Sequence, residues 1–288
     1  MPVLEPKIEV VVLDLFDTIV KWDPAKLPQM NWKGREIRTT VPWFIARLEQ
    51  AIDERQKLKR QIKEEVRQEV EQELRNDQQV DKDTSSFDRE HALTTYFEVL
   101  HELDVIRERD AVEISCLERF IHVLTRLKFG SQEEIAELAA ELTRIHMAGV
   151  RRVTWAPPER VAALHEIAPH YRMAVLSNFD DSETGYQIIE DTGAAHLFEA
   201  VIISADLGLR KPHPDIFKRI MEMLKVTDPR TILFVGDTPR FDITGPHRAG
   251  MRTVWLSEGK DPLTPEIPKP DFIINNLSEL PALLRTIE

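Results

Sequence analysis

Cysteine is nearly absent from this 288-residue chain, and the single one, Cys116, removes two chemistries at once. There is no partner for an intrachain disulfide and no set of thiolates for a metal cluster. Cys116 reads as a small buried hydrophobe within a helix. Long apolar runs are missing as well: no stretch approaches the roughly 20 residues that span a bilayer. The opening residues, Met1-Pro2-Val3-Leu4-Glu5-Pro6, lack the charged and apolar regions of a signal peptide. Basic residues are outnumbered, 38 Lys and Arg against 50 Asp and Glu, and the formal net charge of −12 argues against a nucleic-acid backbone as partner. No internal repeat is evident, and a sustained a/d heptad is missing. These absences leave the expectation of a soluble cytoplasmic enzyme, long enough for one large domain or a core plus an insert.

Two acidic segments, far apart in the chain, carry the most information. Ile8-Glu9-Val10-Val11-Val12-Leu13 runs into Asp14-Leu15-Phe16-Asp17-Thr18. Thr231-Ile232-Leu233-Phe234-Val235 runs into Gly236-Asp237-Thr238-Pro239-Arg240-Phe241-Asp242. Near-continuous apolar runs of this kind suit parallel strands covered on both faces by helices. In such sheets ligands sit beyond the carboxyl ends of the strands. Carboxylates gathered there repel and raise each other's pKa, so a hard divalent cation is their natural partner, and oxygen ligands suit Mg²⁺.

Between the two segments the chain changes character. From about Trp22 to Val41 it is irregular, punctuated by Pro24, Pro28, Gly34 and Pro42. A long helix is predicted from about Trp43 to Gln79, dense in charged residues and Gln, with a thin apolar stripe that includes Ile45, Leu48, Ile52, Leu58 and Ile62. It would reach roughly 50 Å and reads as a solvated arm through which a homodimer is expected. A polar loop is predicted over 76–86, then helices at about 87–103, 111–127 and 132–147, the last opened by a capping box, Ser131-x-x-Glu134. From about residue 158 helices and strands alternate, with strands predicted at 172–176, 200–204, 232–235, 253–256 and 272–274. The alternation predicts an α/β fold with a doubly wound parallel sheet, residues 1–20 and 156–288 forming the core and 21–155 an all-helical cap insertion.

The candidate chemistry follows the strand ends. Asp14, where the first strand stops, is placed to act as a nucleophile of the kind that forms an aspartyl-phosphate. Ser177 follows Val175-Leu176, with a hydroxyl able to donate to a phosphoryl oxygen and Asn178 beside it. Lys211 lies in a loop stiffened by Pro212 and Pro214 and can direct an ammonium toward developing negative charge. Asp237 is placed to bind metal, and Asp242 to hold a metal-bound water or Lys211. Singly, each reads as a cap or turn residue. As an ordered set they point to one site.

The segments VVVLDLFDT, VLSNFDD, GLRKPHPDIF and FVGDTPRFD stand in the order and context of the four motifs of the haloacid dehalogenase superfamily. The chain resembles that superfamily over about residues 7–19 and 156–287, and is most similar to members with a helical cap inserted after the first motif. The resemblance implies a Rossmann-like core and Mg²⁺. It also implies a nucleophile at Asp14, phosphoryl-oxygen contacts from Ser177 and Lys211, and metal ligation by Asp14, the Phe16 carbonyl and Asp237. One departure matters. Phosphatases of this superfamily usually carry a second Asp two residues after the nucleophile, to protonate the leaving group and then activate water. Here that position is Phe16, whose ring moves no proton. Loss of such a group typically costs about 10²–10⁴-fold. Asp17, or a cap histidine among His91, His101, His122 and His146, is the alternative source of the proton.

The leading expectation is therefore a Mg²⁺-dependent phosphatase acting on a small phosphorylated metabolite, with neither nucleic acid nor membrane as partner. A metal-free 2-haloacid dehalogenase is the alternative within hydrolases, because expelling halide needs no leaving-group proton and an aromatic residue then suits position 16. A weakly catalytic protein that binds a phosphorylated metabolite is the third reading, carried by Phe16 and the charged arm.

Overall fold

The structure, a computed structural model, describes residues 6–73, 88–260 and 263–287, with side chains described at all of these except 66–73. It divides into two compact units. The first comprises Met1–Leu27, Leu103–Cys116 and Met147–Glu288, and the second Pro28–Glu102 and Leu117–His146. Residues 21–27, 103–116 and 147–155, expected in the insert, thus group with the α/β unit. Local pairing is the reason. Lys21-Trp22 pairs antiparallel with Thr154-Trp155. Val112 bridges to Leu209, and Glu113 N donates to Gly208 O at 2.9 Å. The helix expected from Ala111 is accordingly absent until Cys116: Ala111 has φ 51°, and the following residues run extended along the 208–210 loop.

The first unit is built on six parallel strands: β1 (Val10–Leu13), β2 (Arg172–Ser177), β3 (Ala200–Ile203), β4 (Ile232–Gly236), β5 (Arg252–Leu256) and β6 (Phe272–Ile274). Their spatial order is β6-β5-β4-β1-β2-β3. Read from the other edge this is 3-2-1-4-5-6, the doubly wound order whose direction reverses between β1 and β4. Register is held by the apolar runs: Leu13 lies between Val175 on β2 and Val235 on β4. Val10, Val12, Ala174, Leu176, Ile232 and Phe234 share one buried cluster with Ile216, Phe217, Ile220 and Leu224 of the helix Pro214–Leu224. Each buried Val, Leu, Ile or Phe among them contributes about 1.5–3 kcal/mol, and β1 and β4 end where their apolar runs end. Their ends place the first two carboxylates.

The second unit holds the first part of the expected arm. That helix is found at Val41–Glu73, and residues 74–79, together with the expected loop over 76–86, lie outside the described residues. Its N-terminal half is anchored by Phe44, whose ring stands 4.9 Å from Tyr96 and 5.0 Å from Phe120, and by buried Ile45 and Leu48. Leu58 and Ile62, on the same predicted stripe, are instead 53% and 50% exposed. The capping box at Ser131 forms in both directions, Ser131 N donating to Glu134 Oε2 at 2.7 Å and Glu134 N to Ser131 Oγ at 3.3 Å. A short hairpin, Gln29–Trp32 against Arg35–Arg38, occupies chain read from sequence as irregular, its turn made by Lys33 and Gly34 at φ 49° and 80°. Among the described residues no helix is long and apolar enough to cross a membrane.

Helix–helix closeness in the first unit depends on one missing side chain. A Cβ at Gly245 would lie 2.5 Å from Phe217 Cζ and 3.3 Å from Pro212 Cα. Phe217 is fully buried with its ring 5.9 Å from that of Phe234, so it has nowhere to retreat. Gly245→Ala is therefore expected to destabilise the protein by about 1–3 kcal/mol from overpacking, despite the roughly 1 kcal/mol that Ala gains over Gly in a helix. Urea unfolding monitored by circular dichroism checks this, and a variant at least as stable as the parent would refute the packing argument.

Candidate active site

The expected site residues converge at the carboxyl edge of the sheet, across the β1/β4 reversal. Asp14 is the first residue beyond β1, its amide N donating to Val235 O on β4 at 2.9 Å. Asp237 follows Gly236 at the end of β4. Asp242 closes the four-residue helix Pro239–Asp242, where its Oδ2 accepts from Thr238 N at 2.9 Å. Oxygens of the three carboxylates all lie within 4.8 Å of one another, and all three residues are buried. Gly236 makes this convergence feasible, since a Cβ there would stand 2.4 Å from both Cβ and Cγ of Asp242.

Lys211 is the counter-charge. Its side chain is 1% exposed, and Nζ donates to Asp14 Oδ1 and Asp242 Oδ1, at 2.7 Å each. Asn178 brackets the Lys211 backbone, Nδ2 donating to its carbonyl at 2.9 Å while Oδ1 accepts from its amide at 2.7 Å. Asn178, a substrate contact in the sequence reading, uses its amide in this structure to hold the lysine loop. Ser177, the last residue of β2, is 0% exposed, and its Oγ has no hydrogen-bond partner. An orphaned buried hydroxyl costs about 1–3 kcal/mol, a cost that a ligand oxygen accepting from it would offset. Thr18 Oγ1 is orphaned in the same way.

The electrostatics follow from burial. Asp14 is raised to about 7, first because it is cut off from water and then because Asp242 and Asp237 crowd it, with Lys211 pulling the other way. Asp242 is raised by the same causes, burial again foremost. Burial pulls the Lys211 ammonium down, but the two carboxylates it bridges more than reverse that, and its pKa is raised. The arrangement holds more negative charge than one ammonium neutralises. An all-oxygen, over-anionic cluster of this kind fits a hard divalent cation.

Phe16 turns its ring to Phe179, centroids 4.8 Å apart, which puts an apolar pair where an acid/base group was sought. Asp17, the adjacent alternative, has φ 58° and a carboxyl raised by partial burial and by Asp237. The four histidines belong to the second unit. His91, His101 and His122 are exposed there, and His146 is engaged by Thr40 Oγ1 at 2.8 Å and Arg119 at 3.1 Å.

Three further residues escaped sequence analysis. Arg160, fully buried, donates to the carbonyls of Asp17 and Thr18 at 2.7 Å each and pairs with Glu258, so it fixes the loop that follows Asp14. Lys260 donates to the Asp237 carbonyl at 3.0 Å and pairs with its carboxylate. Thr18 was visible inside the first motif; Arg160 and Lys260 stand in no motif, and only the fold brings them in.

Comparison with known proteins identifies the family. A model of the family described as "haloacid dehalogenase-like hydrolase" matches residues 88–256. N-acylneuraminate-9-phosphatase of Mus musculus is 36% identical over 129 residues, 44% of this chain and 51% of that protein. Phosphoserine phosphatase of Thermus thermophilus is 38% identical over 88 residues, 31% of this chain and 34% of that protein. The chain thus spans about half or less of the length of these curated relatives. Among solved structures, a 2-haloacid dehalogenase from Pseudomonas syringae superimposes with a TM-score of 0.61 at 24% identity, covering 97% of this chain and 99% of the other, a likeness of fold. With more than half of its length matched by the family model, and the doubly wound sheet in place beneath it, the chain belongs to the haloacid dehalogenase-like hydrolases.

Proposed function

We propose that this hydrolase is a Mg²⁺-dependent phosphatase, cleaving a small phosphate ester through an aspartyl-phosphate on Asp14. The observation that carries the reading is the three-carboxylate cluster, two of whose members buried Lys211 bridges, with the unpartnered Ser177 hydroxyl at the end of the strand beside β1. Asp14, the Phe16 carbonyl and Asp237 would hold the cation, with Asp242 keeping Lys211 in place. Bound there, Mg²⁺ supplies positive charge that offsets the crowding of the carboxylates and the charge of a phosphoryl group.

Asp14 offers one carboxylate oxygen to phosphorus; the new P–O bond forms as the bond to the leaving alcohol breaks. Ser177 Oγ and Lys211 Nζ donate to phosphoryl oxygens and orient the group. Water then cleaves the acyl phosphate, releasing phosphate and restoring Asp14. No side chain at position 16 protonates the departing oxygen, so esters with good leaving groups are favoured. The phosphatase names of the relatives support a phosphate monoester as substrate. The second unit is proposed to act as the cap that selects it, in the cytoplasm. A metal-free 2-haloacid dehalogenase is the second reading, favoured by Phe16 alone.

Pairing of two copies through the exposed half of the helix Val41–Glu73 is also proposed, on the strength of Leu58 and Ile62. Sedimentation equilibrium should then show a dimer that Leu58→Glu with Ile62→Glu converts to monomer. A parent chain that sediments as a monomer would end that idea.

Asp14→Asn is expected to abolish turnover, because an amide is a poor nucleophile. In the parent, aryl phosphates should outrun alkyl phosphates, and Phe16→Asp should raise alkyl phosphate turnover preferentially, within the 10²–10⁴-fold typical of an acid/base group. Steady-state rates on both ester classes and on 2-chloropropionate, with and without Mg²⁺, check this. Halide release without metal and no phosphate release would replace the phosphatase by the dehalogenase.

The raised Asp14 pKa carries a prediction for the metal-free protein. Its folded value of about 7 lies above the ordinary 3.8, so the native state keeps a proton that the unfolded chain gives up. The contribution of Asp14 to stability therefore falls as pH rises from about 4 to about 7. Mg²⁺, which prefers the ionised carboxylate, should stabilise the protein increasingly over the same window. Tm of the parent minus that of Asp14→Asn, followed without metal from about pH 5 to about pH 8, should decline, and added Mg²⁺ should reverse the decline. A flat difference would mean that Asp14 is ionised throughout.

A further inference from the structure

The contact between Lys260 and Asp237 is built rather than incidental. The turn that delivers it is closed by Lys260 N donating to Ser257 O at 2.8 Å, and its two central residues, Glu258 and Gly259, both have positive φ, 46° and 76°. A glutamate in that conformation costs roughly 1–2 kcal/mol, so something must hold it. Its carboxylate pairs with Arg160, which is fully buried, and with Lys21. The other end is tied to the sheet, Ser257 N donating to Ile274 O at 2.8 Å and Ser257 Oγ to Asn275 Oδ1 at 2.8 Å. The chain after β5 is thus bent back on itself, and Lys260 Nζ reaches both the carbonyl and the carboxylate of Asp237.

That ammonium stands where the charge is needed. Lys211 already serves Asp14 and Asp242, which leaves Asp237 as the carboxylate it does not touch. Asp237 Oδ1 accepts from Thr238 Oγ1 at 3.2 Å, so Oδ2 is the oxygen Lys260 takes. An ammonium and a divalent cation cannot both use the same lone pair at full strength. The two lysines differ in one respect: Lys211 is sealed in, whereas the Lys260 side chain is 40% exposed and can return to water at small cost.

We propose that Lys260 is a tethered competitor for the divalent cation, neutralising Asp237 when no metal is bound and withdrawing when metal arrives. This inference rests on the metal site proposed above. It gives the over-anionic cluster a second internal counter-charge, and it sets the cation concentration at which the site fills.

The test is Mg²⁺ binding to the metal-free full chain, measured by isothermal titration calorimetry at constant ionic strength. Lys260→Met should bind Mg²⁺ about twofold to fivefold more tightly than the parent, the upper part of the range expected from removing a partly exposed ion pair that metal must break. Lys260→Arg, which keeps a cation on the same turn, should bind close to the parent. Lys218→Met, which removes an exposed ammonium paired with Asp215, should also match the parent. A Lys260→Met affinity less than about twofold tighter than the parent, or weaker, overturns the proposal. Equal tightening by Lys218→Met overturns it too, since the effect would then be one of bulk charge. If parent and variants all fail to bind Mg²⁺, the metal reading falls and this inference with it. Binding in the parent with no change in Lys260→Met removes the inference alone.

Discussion

One ammonium, sealed from water between two carboxylates, is the constraint around which this active site is organised. Lys211 holds Asp14 and Asp242 at 2.7 Å each. Removing a single partner from a buried ion pair typically costs about 3–5 kcal/mol, because the charge left behind has no water to turn to. The geometry of the three residues is therefore enforced by energy, and other parts of the site can be read as serving it. Asn178 brackets the lysine backbone, Gly236 leaves room for the Asp242 side chain, and Thr238 N takes the other oxygen of Asp242. Asp237, next to these and outside the grip of Lys211, is the carboxylate left free to change partner.

How much of this could be read from sequence depends on whether a residue's role is local or assembled. The strand runs at 10–13 and 232–236 announce themselves because both faces of a parallel sheet are apolar, and the acid after each run then falls at the ligand edge without further information. Lys211 was legible from its proline-bounded loop and its place in the motif order. For Asn178, nothing in the dipeptide Ser177-Asn178 announces that its amide brackets the Lys211 backbone. The stretch 111–115 was misread as helix because its composition permits one; pairing with the 208–210 loop overrides that preference. Tertiary contacts of this kind leave no periodicity to detect.

Phe16 illustrates the difference between a position and a function. Its place two residues beyond Asp14 marks it as the absence of a proton carrier, and its ring meets Phe179 to make an apolar wall. An apolar wall lowers the local dielectric, which strengthens every charge interaction nearby and keeps water out. It does not move protons. Charge is thus densely organised around Lys211, while position 16 supplies no proton carrier.

Arg160 binds these threads together. From the helix Pro158–Ile167 it reaches the carbonyls of Asp17 and Thr18, just beyond Asp14, and it pairs with Glu258 on the turn that presents Lys260. One buried guanidinium therefore fixes two loops that leave the sheet at different strands, one following Asp14 and the other carrying a cation against Asp237. Guanidinium suits the task where an ammonium would not, because its planar fork bonds two carbonyls and a carboxylate in set directions. The loop after β1 and the turn after β5 thus share one anchor, and the same side chain helps to place both Asp14 and Lys260.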